Sequence, residues 1–83
     1  MAFDFVNDEK SQGFCEDIVR HLTVEHHLEQ PDAHRYVALQ WAGQPFEGEY
    51  DLRYHQLAEE WAGHIFKYHG YLFGDARHQR PAG

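Results

Sequence analysis

Tyr54, Leu57, Ala58, Trp61, Ile65 and Tyr68 recur at helical spacings, and no other stretch of the chain is so regular. At about 100° per residue they line one face of an α-helix. The pattern predicts a helix from Asp51 to His69, with Gly70 placed to end it. A helix that long must bury its stripe against something. Eighty-three residues supply material for one small core.

Two earlier segments are the candidate partners. Asn7, Asp8 and Ser11 are available N-caps for a helix running to about Leu28 or Gln30. Its apolar face would be Phe14, Ile18 and Leu22, with Cys15 and Val19 at the margin. In "QPDAHRYVALQWAGQP", Asp32 suits an N-cap, Gly43 suits the residue after a helix end, and Pro45 cannot continue one. Ala33, Tyr36, Val37, Gln40 and Trp41 would share its face. Before the first helix, Phe3 and Phe5 alternate with Asp4, as in an arm laid on the core.

The middle of the chain also fits a second pattern. Val37, Leu39 and Trp41 alternate, as do Tyr50, Leu52 and Tyr54, and "AGQPFEG" between them could turn a β-hairpin. That alternative gives an α-β-β-α order, with residues 34–54 as the hairpin. The helical reading is preferred because Ala, Leu and Gln are good helix formers and both ends of the segment are marked. The expected fold class is therefore all-α: a three-helix bundle with an extended N-terminal arm, one domain over 1–74, and a flexible tail over 75–83. Ala38, Trp41, Ala42, Gly43 and Phe46 also match Ala58, Trp61, Ala62, Gly63 and Phe66 at an offset of twenty. Two copies are too few for a solenoid, and Gly63 falls mid-helix where Gly43 terminates, so the echo reads as chance.

Six Phe, five Tyr and two Trp exceed what a minimal three-element fold needs. Either the core is built of rings, or some rings face outward, where Tyr and Trp commonly serve binding. Charge is uneven. Residues 1–60 hold thirteen acids against four Lys/Arg, a net of −9, while residues 61–83 hold one acid against three, a net of +2. Such a body lacks the clustered cations that nucleic-acid backbones require. It suits a basic protein partner.

Cys15 is the single cysteine, which excludes an internal disulfide and a cysteine-based zinc cluster. Residues 1–10 show no basic and then apolar leader, and no apolar run approaches the roughly 20 residues of a membrane span. The expectation is a cytoplasmic chain without membrane contact. An excess of rings for the size leaves a homo-oligomer as a further reading.

Residues 21–34, "HLTVEHHLEQPDAH", carry four of the eight histidines. His21 and Glu25 stand at i, i+4, as do Glu60 and His64 on the last helix. Facing each other, these four would form a bundle-type site for a divalent ion such as Zn or Ni. The strict motifs are missed: H-E-x-x-H is absent, His21, Glu25 and His26 read H-x-x-x-E-H, and Glu60 to His64 is one residue longer than E-x-x-H. Eight histidines also imply that net charge rises from −7 toward zero as pH falls through about 6.5.

Catalysis has little to work with. Ser11 and Thr23 lie in no nucleophile motif, no glycine-rich phosphate loop is present, and Cys15 flanks an apolar face. Binding is the better class, and the chain is read as non-enzymatic. "PFEGEYDLRY" interleaves Phe46, Tyr50 and Tyr54 with Glu47, Glu49 and Asp51. Rings supply contact area and carboxylates steer a basic partner. The expected function is a small acidic interaction, inhibitory or regulatory module using these six residues. Metal binding through His21, Glu25, Glu60 and His64 is the alternative.

Overall fold

Three α-helices pack on one another in the computed structural model, which describes residues 3–72: α1 (Glu9–Val24), α2 (Gln30–Gln40) and α3 (Ala58–Leu72). There is no strand among the described residues, so the hairpin alternative over 34–54 is not what forms. The tail over 75–83 lies outside the described residues.

α1 starts at a reciprocal cap. Asp8 Oδ1 accepts from Ser11 N at 2.8 Å, and Ser11 Oγ accepts from the backbone N–H of Asp8 and Asn7, each at 3.2 Å. Two otherwise orphaned helix-end donors are thereby satisfied. The Asp8 carboxyl is held below its usual range, first by the Ser11 hydroxyl and then by the Ser11 N–H. The buried seam of α1 is Ser11, Cys15, Ile18, Val19 and Leu22, with Phe14 only half-buried. The face is thus rotated toward Cys15 relative to the sequence pattern.

The helix stops earlier than its apolar content suggests. His27 adopts φ +60°, and the Leu28 N–H returns to Leu22 O at 3.2 Å. That left-handed residue ends the helix and turns Leu28 inward, where it is buried. α2 then begins at Gln30 with Glu29 as N-cap and Pro31 in the first turn, so Asp32 is inside the helix instead of capping it. There its charge faces the positive helix end and binds Arg35 Nη2 at 2.6 Å. Gly43, at φ +75°, turns the chain after Trp41 as expected.

α3 starts later than predicted, because Leu52–His55 form a 3-10 turn instead of α-helix, and it runs past Gly70 to Leu72. Its inward face is Ala58, Trp61, Ala62, Ile65, Phe66 and His69; Leu57 and Tyr68 are exposed. Ala62 is fully buried, and the small residue at 63 lets His26 come within 4.0 Å of where a Cβ would sit. α1 contacts both other helices, α3 most extensively.

The core has two parts. Ile18, Leu22, Val37 and Ile65 form an aliphatic seam with no solvent exposure. Beside it, rings gather on Phe46: Phe5, Phe14, Trp41 and Tyr54 all lie within 6.3 Å of it, centroid to centroid. Trp61 packs edge-on against Trp41 at 5.1 Å. Most of the aromatic excess is core. The N-terminal segment is a turn at this point, Val6 N–H donating to Phe3 O at 3.2 Å, with Phe5 almost wholly buried. The two W-A-G triplets differ in structure: Trp41 closes α2, whereas Trp61 lies within α3.

Candidate functional site

The connection between α2 and α3, Trp41 to Leu57, is 17 residues long. Connections beyond about 12–15 residues are uncommon in small domains and are usually functional or disordered. This one is tightly held. Phe46 N–H donates to Phe5 O at 3.0 Å, and Asn7 Nδ2 donates to Phe46 O at 2.8 Å. Lys10 Nζ donates to Glu49 O at 3.2 Å and lies 4.4 Å from the Tyr54 ring centre. Trp61 Nε1 donates to Arg53 O at 2.8 Å. Each flank of the loop is tied to another part of the fold.

At its centre lies an ion pair between buried Asp51 and partly buried Arg53. The Asp51 carboxylate accepts from Arg53 Nε at 2.9 Å and Arg53 Nη2 at 3.1 Å, and from the backbone N–H of Glu47 at 2.8 Å and Arg53 at 2.9 Å. Arg53 Nη2 also donates to Pro45 O at 3.0 Å. The guanidinium carbon sits 3.8 Å from the centre of the Phe46 ring and 5.1 Å from that of Trp41, a cation on aromatic faces. Burial works to raise the Asp51 carboxyl, but bonds from the Arg53 side chain and from the Arg53 and Glu47 N–H groups prevail and hold it below its usual range. The pair organises two short 3-10 turns, Gly48–Tyr50 and Leu52–His55, one on each side of Asp51.

With Asp51 drawn inward, its neighbours are thrust out. Tyr50 is 85% exposed and Leu52 76%; Leu57, just before α3, is 66% exposed. These are three of the six strongly exposed large apolar side chains among the described residues, and they fall within eight positions. Single exposed apolar residues are ordinary, whereas a cluster is a candidate contact surface.

Of the six residues expected to bind a partner, Glu47, Glu49 and Tyr50 are exposed. Phe46 and Asp51 are buried and must be withdrawn from the surface: one is the hub of the ring cluster, the other the carboxylate that bonds the loop together. Tyr54 is half-buried between Phe14 and Phe46, at 5.0 and 5.5 Å. Burial raises its hydroxyl pKa, with Asp8 and Asp51 adding to the effect. Leu52 and Leu57 were missed, as was Arg53. The alternation of Tyr50, Leu52 and Tyr54 does not carry through: Tyr50 and Leu52 face out, whereas Tyr54 turns in beside Phe46.

The histidines serve separate ends. His21 Nδ1 and Glu25 Oε2 meet at 3.0 Å, an i, i+4 pair. Glu60 instead turns back to accept from Leu57 N at 3.3 Å, and His64 is exposed at the edge of Trp61. No three His, Cys, Asp or Glu side chains come together as a metal site among the described residues. His26 stacks on Phe66 at 4.6 Å and His34 on Phe3 at 4.1 Å. His69 is buried, its Nε2 2.8 Å from Gln40 Oε1 across the α2–α3 contact.

Cys15 is fully buried, and burial pushes its thiol up to about 12. A thiol so strongly held in its neutral form is a poor nucleophile at neutral pH. An open trough of about 530 Å³ between α1 and α2 is lined by Phe3, Glu16, Arg20 and His34 among others. Arg20 there is paired with Asp17 at 3.3 Å, and Thr23 Oγ1 donates to Arg20 O at 2.8 Å. No described helix is long and apolar enough to cross a membrane.

No protein-family model, curated protein or solved structure matches this chain.

Proposed function

We propose that this protein is a non-catalytic interaction module of the inhibitory or regulatory kind, built on a three-helix bundle with an N-terminal arm. It binds a basic protein partner on the α2–α3 connection. Tyr50 and Leu52 are the apolar anchors; Glu47 and Glu49 steer the partner in. The observation that carries this reading is the exposure of Tyr50 and Leu52 on either side of a buried, fully engaged Asp51. A floppy loop loses entropy on ordering at an interface, whereas a loop already fixed by hydrogen bonds loses little. Large apolar side chains on a fixed loop offer contact area at low ordering cost.

Charge supports the class of partner. Glu47, Glu49, Glu59 and Glu60 are all exposed, while Arg53, the one Lys or Arg between residues 44 and 60, is tied to Asp51. A partner rich in Lys and Arg gains attraction in the encounter; the one exposed cation shown against the loop is Lys10, whose ammonium is bonded to the Glu49 carbonyl.

Selection from a random peptide library against the immobilised full chain tests the reading. Selected sequences are expected to combine Lys or Arg with apolar residues and to lose affinity between low and roughly half-molar salt. Affinity that ignores salt, or ligands that are mainly acidic, would overturn the electrostatic half of the proposal. Retention by a Tyr50→Ala variant would overturn the assigned surface.

A further inference from the structure

Leu57 is an unusual residue for its position. Its carbonyl accepts the first bond of α3, from Trp61 N at 2.9 Å, which makes it the N-cap. Asp, Asn, Ser and Thr are favoured there because a side-chain oxygen can satisfy a free N–H of the first turn; leucine has none to offer. Glu60, three residues on, does reach back to the Leu57 N–H, so half of a capping box is present and the other half is missing. The leucine is also 66% exposed, so burial does not compensate. A side chain that neither caps nor packs makes sense if something outside the chain covers it.

The surroundings say what would cover it. Tyr50, Leu52 and Leu57 are exposed within eight positions of the chain, with an exposed acidic pair on either side in sequence, Glu47/Glu49 before them and Glu59/Glu60 after them. No sheet edge is offered among the described residues, so a partner strand has no template on which to add. An amphipathic helix presents the complementary chemistry: an apolar stripe for the three anchors, with cations toward both ends for the two acidic pairs. We infer that the partner presents a basic amphipathic helix and that Leu57 is its third anchor. This rests on the proposed function above and adds the partner's structure and a specificity residue.

The test uses the full chain, ¹⁵N-labelled, and three synthetic peptides of equal length. One carries a leucine stripe flanked by Lys and Arg at helical spacing. The second has the same composition with the stripe scrambled; the third keeps the stripe but replaces the cations by Glu. The striped basic peptide is expected to shift amide signals of residues 47–60 and to bind at least tenfold more tightly than either control. Equal binding by the scrambled basic peptide would overturn the helix while leaving a basic partner intact. Equal binding by the acidic striped peptide would leave helix docking but overturn the basic partner. Shifts located elsewhere, or no binding by any of the three, would overturn the inference.

Leu57→Ser is the decisive variant. Restoring the cap should raise the melting temperature while weakening the striped basic peptide at least tenfold. A more stable variant that binds unchanged removes Leu57 from the surface. Because the substitution is expected to stabilise, loss of binding cannot be put down to unfolding, and the melt checks this directly.

Discussion

Asp51 and Arg53 are bonded twice, at 2.9 and 3.1 Å, and that pair fixes which side chains of the α2–α3 connection face outward. The carboxylate also accepts two backbone N–H groups, and the guanidinium lies on the Phe46 ring. Both partners are largely withdrawn from water, their side chains 6% and 14% exposed. Removing one therefore leaves the other as an uncompensated charge.

Arg53→Met should accordingly destabilise the fold by about 3–5 kcal/mol, read as a lower urea midpoint. Adding Asp51→Asn should recover part of the loss, since the unpaired charge goes. A single-variant loss under about 1 kcal/mol would show that the pair is more solvated than its geometry indicates.

Tyr54 makes the opposite case. Its hydroxyl is buried without a hydrogen-bond partner among the described residues. Leaving such a group unbonded costs about 1–3 kcal/mol, so Tyr54→Phe should be neutral or stabilising by about 1 kcal/mol. A clear loss of stability in the same melt would mean that the hydroxyl is engaged.

Three helices were legible because periodicity, Gly43 and the Asp8/Ser11 cap act locally. The boundaries were not. α3 begins seven residues late, since Asp51 bonds Arg53 and Leu52–His55 are diverted into a 3-10 turn. Interleaved rings and acids drew attention to residues 46–54. Which of them face in depends on bonds to Phe5, Asn7 and Lys10, some forty residues away in the chain. No local pattern encodes those contacts. The histidine-rich stretch is dispersed for a similar reason: its members serve one by one at the helix-ending turn, in ring stacks and as the hydrogen-bond partner of Glu25.

His27 is a case where a local rule predicts improvement. Its φ of +60° is a left-handed conformation that glycine adopts without steric cost. His27→Gly should stabilise by about 0.5–1 kcal/mol, whereas His27→Val, β-branched at a positive φ, should destabilise by more than about 1 kcal/mol. Denaturant midpoints of the two variants should bracket the parent. Midpoints in the reverse order would refute the strain.

Acid should loosen the α2–α3 contact. Burial holds the His69 imidazole below its ordinary value of 6.5. The unfolded chain therefore takes up that proton at a higher pH than the folded chain does. The contribution of neutral His69 is fully present above pH 6.5 or so and is lost as pH falls through that value toward the folded one. Melts between roughly pH 7.5 and 5 should decline more steeply for the parent than for His69→Gln, which cannot titrate. Parallel declines would assign the acid sensitivity to other groups.

The most direct test of the central claim is the double variant Tyr50→Ser with Leu52→Ser, assayed at once for stability and for binding of the striped basic peptide. Both side chains stand in water, so the melt should move by less than about 0.5 kcal/mol while affinity falls at least tenfold. An unchanged melt with unchanged affinity would contradict the account: Tyr50 and Leu52 would then be exposed without being a binding surface.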